Sequence, residues 1–421
     1  MSDRRFGLLR LCAPLVLLLA GCAGRDGGDW ADVREVTPVL LSAQAAGYAA
    51  LAADHRGRVA LTWVTGDSTG QDLWLALSAD SGLTFAAPMR VNPRPGSVSS
   101  SPEGRPVAAF GAAGELMVAW SERRGASMHL TDLVARASGD GGRSLGPPVV
   151  INDDAEDARA GFHGLPSLVA LPDGGWFAVW MDPREHAAVA DTAAEDPSAV
   201  ASVFAALSSD GGQTWSDNRP LSAHACPCSR VSALADSAGL VAVAYRSAAG
   251  GMRDPALVVS NDRGASVALD TVLTADSWRP EDCPAEGPSL TMDHAGGGHY
   301  AWYSGGGRAW IAPWRADGGI VGLKRPLSDS LFSARHPRLA RLGAATLVAV
   351  EGRARADRPR GVIAVRALEP DGTLTPWLFL GADARDAWIA PAGERSALVC
   401  WTERGEEGDR VRVARLTRAA R

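Results

Sequence analysis

The octapeptide Ser208-Ser209-Asp210-Gly211-Gly212-Gln213-Thr214-Trp215 follows an apolar run at 203–207 that reads as a strand. Its chemistry is that of a self-sufficient corner. Asp210 can accept hydrogen bonds from the N–H groups of its own turn. Gly212 supplies a backbone angle that other residues resist, and Trp215 has a large apolar face to lay on the next strand. The pattern Ser-x-Asp-x-Gly-x-Thr-Trp recurs at Asp80 with a terminal Phe, and at Asp140 and Asp262 with the aromatic softened to an aliphatic. Each copy follows a strand-like run, and a repeat at this spacing marks an array of similar units.

These four copies resemble the Asp-box, or BNR, repeat of sialidases and related β-propellers. The resemblance implies that Asp80, Asp140, Asp210 and Asp262 are structural, in turns on the face opposite an active site. The strand preceding each box extends the count. Apolar runs at 59–64, 116–121, 176–181, 240–245, 299–303, 346–350 and 397–402 make seven units, each with a short strand before it and another after it. Six units also carry a fourth strand. The seventh ends without one, and residues 37–42 (Thr-Pro-Val-Leu-Leu-Ser) read like the fourth strands at 219–222 and 325–328. The expected fold is therefore an all-β propeller of four-stranded blades. Seven blades is the favoured count, with six, the sialidase number, as the alternative. The N-terminal strand closes the ring so that no open edge remains.

Ahead of that strand, Arg4, Arg5 and Arg10 precede an apolar run at 11–20 that suits a signal peptide and is too short to span a bilayer. Leu19-Ala20-Gly21-Cys22 resembles a bacterial lipobox. It implies cleavage after residue 21, lipidation of Cys22, a tether over 22–35 and a single domain over 36–421. Ala23, rather than Asp, favours the outer membrane, with the domain in the periplasm or at the cell surface. A net charge of −6 gives no basic field for nucleic acid. A monomer without cofactor is expected.

In a four-stranded blade, the loops entering the first strand and those joining the second and third share one face, where ligands bind. Here those loops carry Arg105, Arg123, His163, Asp182, Arg184, Arg246, Arg253, Asp254, Arg353 and Arg404, with Arg335, His336, Glu351 and Asp386 beside them. Arginine alternating with carboxylate suits bidentate binding of an anionic or polyhydroxylated ligand. The excursion at 182–204 is longer than a blade needs, which favours function. A sialidase would require three arginines, a Tyr nucleophile with a Glu partner and an Asp acid. None of Tyr48, Tyr245, Tyr300 or Tyr303 stands in such a sequence setting, and Arg105-Pro106 only echoes the family's Arg-x-Pro.

His224-Ala225-Cys226-Pro227-Cys228, Tyr245-Arg246, Arg253-Asp254 and Cys283-Pro284-Ala285-Glu286-Gly287-Pro288 resemble the motifs of a group of exported sialidase-like propellers. Ser229 stands where that group has an adjacent cysteine, and the resemblance implies no particular activity. Export permits a disulfide. Cys228–Cys283, or Cys226–Cys283 as the alternative, would close a loop of about 55 residues and contribute roughly 4 kcal/mol. The rival is a soft-metal site of Cys226, Cys228, Cys283 and His224. Cys400 reads as a core thiol. The sequence thus points to a lipid-anchored propeller that binds a glycan or protein partner without turnover. A sialidase-like glycoside hydrolase is the first alternative and a copper- or zinc-handling lipoprotein the second.

Overall fold

The computed structural model describes residues 30–36, 46–125, 127, 130–156, 161–186, 200–281, 285–305, 308–357, 360–406 and 408–419. Seven antiparallel sheets follow one another along the chain. Blade three shows the plan most simply: Gly164–Ala170, Trp176–Asp182, Ala201–Ser208 and Arg219–Ala225, paired in that order from the axis outward. Blade two splits its first strand into Val98–Ser99 and Val107–Phe110, both on Leu116–Arg123. Blade five splits its last into Gly319–Ile320 and Arg325–Pro326.

The second strand of each blade is covered on both faces by neighbouring blades, so its sequence reads as a continuous apolar run. Val59–Gly66 and Trp176–Asp182 are buried along almost their whole length. The core is a set of apolar layers between blades. One layer joins Phe177, Val179 and Val203 of blade three to Val241, Val243 and Val258 of blade four.

The ring is closed from the N-terminus, by a different strand from the one expected. Trp30–Val36 pairs antiparallel with Gly408–Arg418, the third strand of blade seven, with Trp30 opposite Arg418 and Val36 opposite Val413. Arg412 bonds Glu35 across the closure at 2.8 Å. The stretch assigned to a tether therefore belongs to the propeller from Trp30 onward, and residues 37–42 lie outside the described residues. Exposure of Ala31–Glu35 explains the misreading: an edge strand with so little buried carries no amphipathic pattern.

All four boxes adopt one hydrogen-bonded turn at the end of the third strand. Asp210 accepts the Ser208 hydroxyl (2.9 Å) and the Thr214 N–H (3.0 Å) on Oδ1, and the Thr214 hydroxyl (2.5 Å) on Oδ2. Ser208 in turn accepts the Gly212 N–H at 2.9 Å. Asp80, Asp140 and Asp262 repeat the scheme with their own Ser and Thr neighbours. The hydroxyls of Ser266 and Ser260 hold the Asp262 carboxyl down at about 2. The glycine of each box has positive φ and packs against the preceding blade. At Gly264 (φ +86°) a Cβ would lie 2.6 Å from the buried ring of Phe177. Gly264→Ala should therefore lower stability by about 1–3 kcal/mol, read as an earlier urea midpoint. An unchanged midpoint would show that the boxes do not stitch blade to blade.

Candidate functional site

Four innermost strands share an irregularity on the face opposite the boxes. Their pairing skips two residues between Gly47 and Ala50, Gly164 and Ser167, Arg335 and Arg338, and Arg385 and Trp388. The first skipped residue is left-handed each time: Tyr48 (φ 53°), Leu165 (φ 57°), His336 (φ 47°) and Asp386 (φ 60°). Non-glycine residues there cost on the order of 1–3 kcal/mol each and persist where the surroundings impose them. Such bulges re-aim side chains.

Between blades seven, one and two the bulges open a cavity of about 200 Å³. Tyr48, Asp386 and Arg385 come from innermost strands, and Thr402 and Asp409 from blade seven. Asp67, Ser68 and Gln71 come from a hairpin of blade one, and Ser100 from the loop entering blade two. Three buried oxygens in this wall have no hydrogen-bond partner: Asp386 Oδ2, Thr402 Oγ1 and Ser100 Oγ. Native proteins leave few such groups unpaired. Arg385 is held by the Asp409 carboxylate and lies 3.5 Å from Asp386 Oδ2. Burial, and then the Asp386 charge, push the Tyr48 phenol above its usual range.

Behind this cavity the channel is plugged by a buried charge network. Arg230 Nη1 donates to both oxygens of Glu103 at 2.6 and 2.7 Å. The Gly287 N–H (2.6 Å) and the His336 ring (3.0 Å) also reach Glu103, so one carboxylate ties blades two, four, five and six. Glu286 accepts the His336 N–H at 2.7 Å and Arg335 Nε at 2.5 Å. Burial opposes the charge on His336, but the carboxylates of Glu351, Glu286 and Glu103 outweigh it and hold the imidazole pKa at about 9. Burial raises the Glu351 carboxyl, with the Asp386 charge adding to it. Glu351 Oε1 accepts the Asp386 N–H at 2.6 Å, which joins plug to pocket.

The candidates drawn from sequence do not form one binding face. Arg105 is buried and donates to the carbonyls of Ala49 and Asp386, with Nη2 3.5 Å from the Asp386 carboxylate. Arg246 is buried and spends its guanidinium on the carbonyls of Glu286, Arg253 and Tyr303. Arg253 and Asp254 are buried beside it, Asp254 accepting the Ser277 N–H. His163, Asp182 and Arg184 form a separate knot at blade three with Asp154. Arg123 is buried and donates to the Ser68 carbonyl. Arg353 donates to Ser333 Oγ, and Arg404 is exposed. Charge in these loops is thus mostly structural, which corrects their reading as an arginine-rich binding ring. Residues 187–199 of the long excursion lie outside the described residues.

Sequence reasoning named His336, Glu351 and Asp386 only as neighbours and missed Glu103, Arg230 and Arg338. The signal lies in register. Superposing the innermost strands on their pairing places Tyr48, Leu165, His336 and Asp386 in one column, and the polar residues of that column mark the pocket and plug.

Cys226 and Cys400 are buried thiols outside any disulfide, so the alternative Cys226–Cys283 pairing is not made. Cys228 is not among the free cysteines, and its sulfur lies 3.8 Å from that of Cys226. Cys283 and Cys22 lie outside the described residues. Among the described residues, no group of three His, Cys, Asp or Glu side chains gathers as metal ligands, and His224 is exposed while Cys226 is buried.

No protein-family model and no curated protein matches the chain. Solved structures do resemble it. The BP39L lectin from Burkholderia pseudomallei is 14% identical, TM-score 0.59, over 89% of this chain and 97% of the lectin. A protein of unknown function from Dyadobacter fermentans is 14% identical, TM-score 0.54, over 92% and 99%. The polysaccharide lyase Uly1 is 10% identical, TM-score 0.53, over 93% and 99%. At these identities the likeness is one of fold.

Proposed function

We propose that this chain is an exported, lipid-anchored propeller that binds a carbohydrate in the cavity between blades seven, one and two, without turnover. Three oxygens without a hydrogen bond, those of Asp386, Thr402 and Ser100, in one small cavity carry the reading. Sugar hydroxyls both donate and accept, so vicinal hydroxyls suit a carboxylate flanked by two hydroxyls. The Tyr48 ring offers a face for the sugar's C–H groups. Asp67, Asp386 and Asp409 line the wall while Arg385 is already engaged, which favours neutral over acidic sugars. The fold shared with a lectin and a polysaccharide lyase supports this class of ligand.

The test is a printed glycan array probed with residues 23–421, followed by titration of each hit and an assay for released reducing ends. Asp386→Asn should weaken binding at least tenfold, as expected for a lost charge-assisted hydrogen bond. A blank array would overturn the reading. Release of reducing ends would instead favour hydrolysis, which the shared wall position of Asp386 and Asp409 keeps as the second reading.

Anchoring through Cys22 would fix orientation. Trp30 lies opposite Arg418, at the Asp-box end of blade seven, and eight residues reach at most about 28 Å. The box face would then turn to the membrane and the cavity away from it. We also assign a Cys228–Cys283 disulfide. Denatured protein from an oxidising compartment should titrate two thiols, those of Cys226 and Cys400, and Cys228→Ser should raise the count by one. Four thiols in the parent chain would remove the disulfide.

A further inference from the structure

On the other side of the charge plug, the central channel holds a second cavity of about 170 Å³. Its ceiling is Glu103, Arg105, Arg230 and Arg338, and its walls set Ser167, Ser232 and Ser289 among Leu168, Leu234, Leu290, Leu339 and Ile389. What distinguishes it is Arg338.

Arg338 is 5% exposed, and its Nε and Nη2 have no hydrogen-bond partner. Its guanidinium stacks on the Trp388 ring at 4.1 Å, a contact that leaves the in-plane N–H groups unused. Arg230 Nε beside it is also without a partner. The neighbouring carboxylates are committed elsewhere. Glu103 is saturated by Arg230, His336 and Gly287. Glu286 is engaged by Arg335 and His336, and Asp386 faces Arg105. The ceiling itself sets three cations, Arg105, Arg230 and Arg338, against one carboxylate, Glu103. A desolvated cation without a counter-charge is among the most costly groups a protein can bury.

We infer that the channel cavity beneath the plug is a binding site for a monovalent anion, held by the free N–H groups of Arg338 and Arg230 against walls of leucine and serine. A halide fits this chemistry. So does a small carboxylate, its oxygens on the guanidinium and its carbon tail on Leu290, Leu339 and Ile389. In line with this, burial and the charges of Arg230 and Arg105 press Arg338 towards losing its proton, a tendency that a bound anion would relieve. The site lies in a different cavity from the proposed sugar pocket and does not depend on it.

Anomalous diffraction from crystals of residues 23–421 soaked in sodium bromide tests the halide directly, and a parallel soak in 5-bromo-2-furoate, whose aryl C–Br bond does not alkylate side chains, tests the carboxylate. A bromine peak in the channel beside Arg338 Nη2 is expected in at least one of them. In solution, the unfolding midpoint should rise with the logarithm of the effective anion's concentration, as for any ligand of the native state alone. Arg338→Met, which keeps the stem and removes the charge, should lose that dependence. Bromine peaks confined to the outer surface would overturn the inference, as would equal responses of the parent and Arg338→Met. Should Arg338→Met fail to fold, the soaks of the parent protein decide.

Discussion

Replacing Glu103 by Gln should be the most damaging single substitution in this propeller, with a loss of about 3–5 kcal/mol, the range for removing one partner of a buried ion pair. Glu103 receives two hydrogen bonds from Arg230, one from His336 and one from the Gly287 backbone, all within 3.0 Å. An amide offers a single acceptor oxygen and no charge, so Arg230 and His336 would lose the carboxylate they share, leaving Arg230 on the Pro337 carbonyl and His336 on Glu286. Because the four segments concerned belong to different blades, the loss should appear as cooperative unfolding at lower urea. The double variant Glu103→Met with Arg230→Met should be less damaging than the sum of its single changes, since it removes both charges together. A midpoint unchanged in Glu103→Gln would mean that the plug does not hold the blades together.

Stability should also fall as pH rises from about 6.5 to about 9. His336 faces Glu103 at 3.0 Å and Glu286 at 3.3 Å, with Glu351, Arg230, Arg335 and Arg338 packed around it. Despite burial, those carboxylates raise its pKa from 6.5 to about 9. A group with a raised folded-state pKa contributes its full stabilisation below the unfolded value and loses it as pH climbs through the folded one. The gap corresponds to roughly 3 kcal/mol. His336→Gln should be less stable than the parent at pH 6 and lose little more between pH 6.5 and 9. If the parent and His336→Gln show the same slope over that window, the imidazole is not charged in the folded chain.

Blade number and box chemistry were legible because each depends on local pattern. The apolar run of every second strand reports burial between two neighbours, and the side chains of Ser208, Asp210 and Thr214 bond within their own turn. The site was not legible, because its residues are brought together by closure of the ring. Asp386 and Tyr48 are far apart in sequence and meet only across the seam between blades seven and one. Arg246 and Arg253 misled for the converse reason. Loops rich in charge suggest a solvated face, yet both side chains here are buried, and the donors of Arg246 go to main-chain carbonyls. The closing strand escaped for lack of pattern, since Trp30–Val36 buries only its last residue.

Hydrogen exchange with and without a saturating oligosaccharide from the array tests most directly that this propeller binds sugar in the cavity lined by Tyr48, Asp386 and Thr402. Exchange should slow over residues 46–52, 97–101, 384–388 and 400–404, and stay unchanged in the box turn at 208–215. Slowing confined to other loops, or spread evenly over all seven blades, would contradict it.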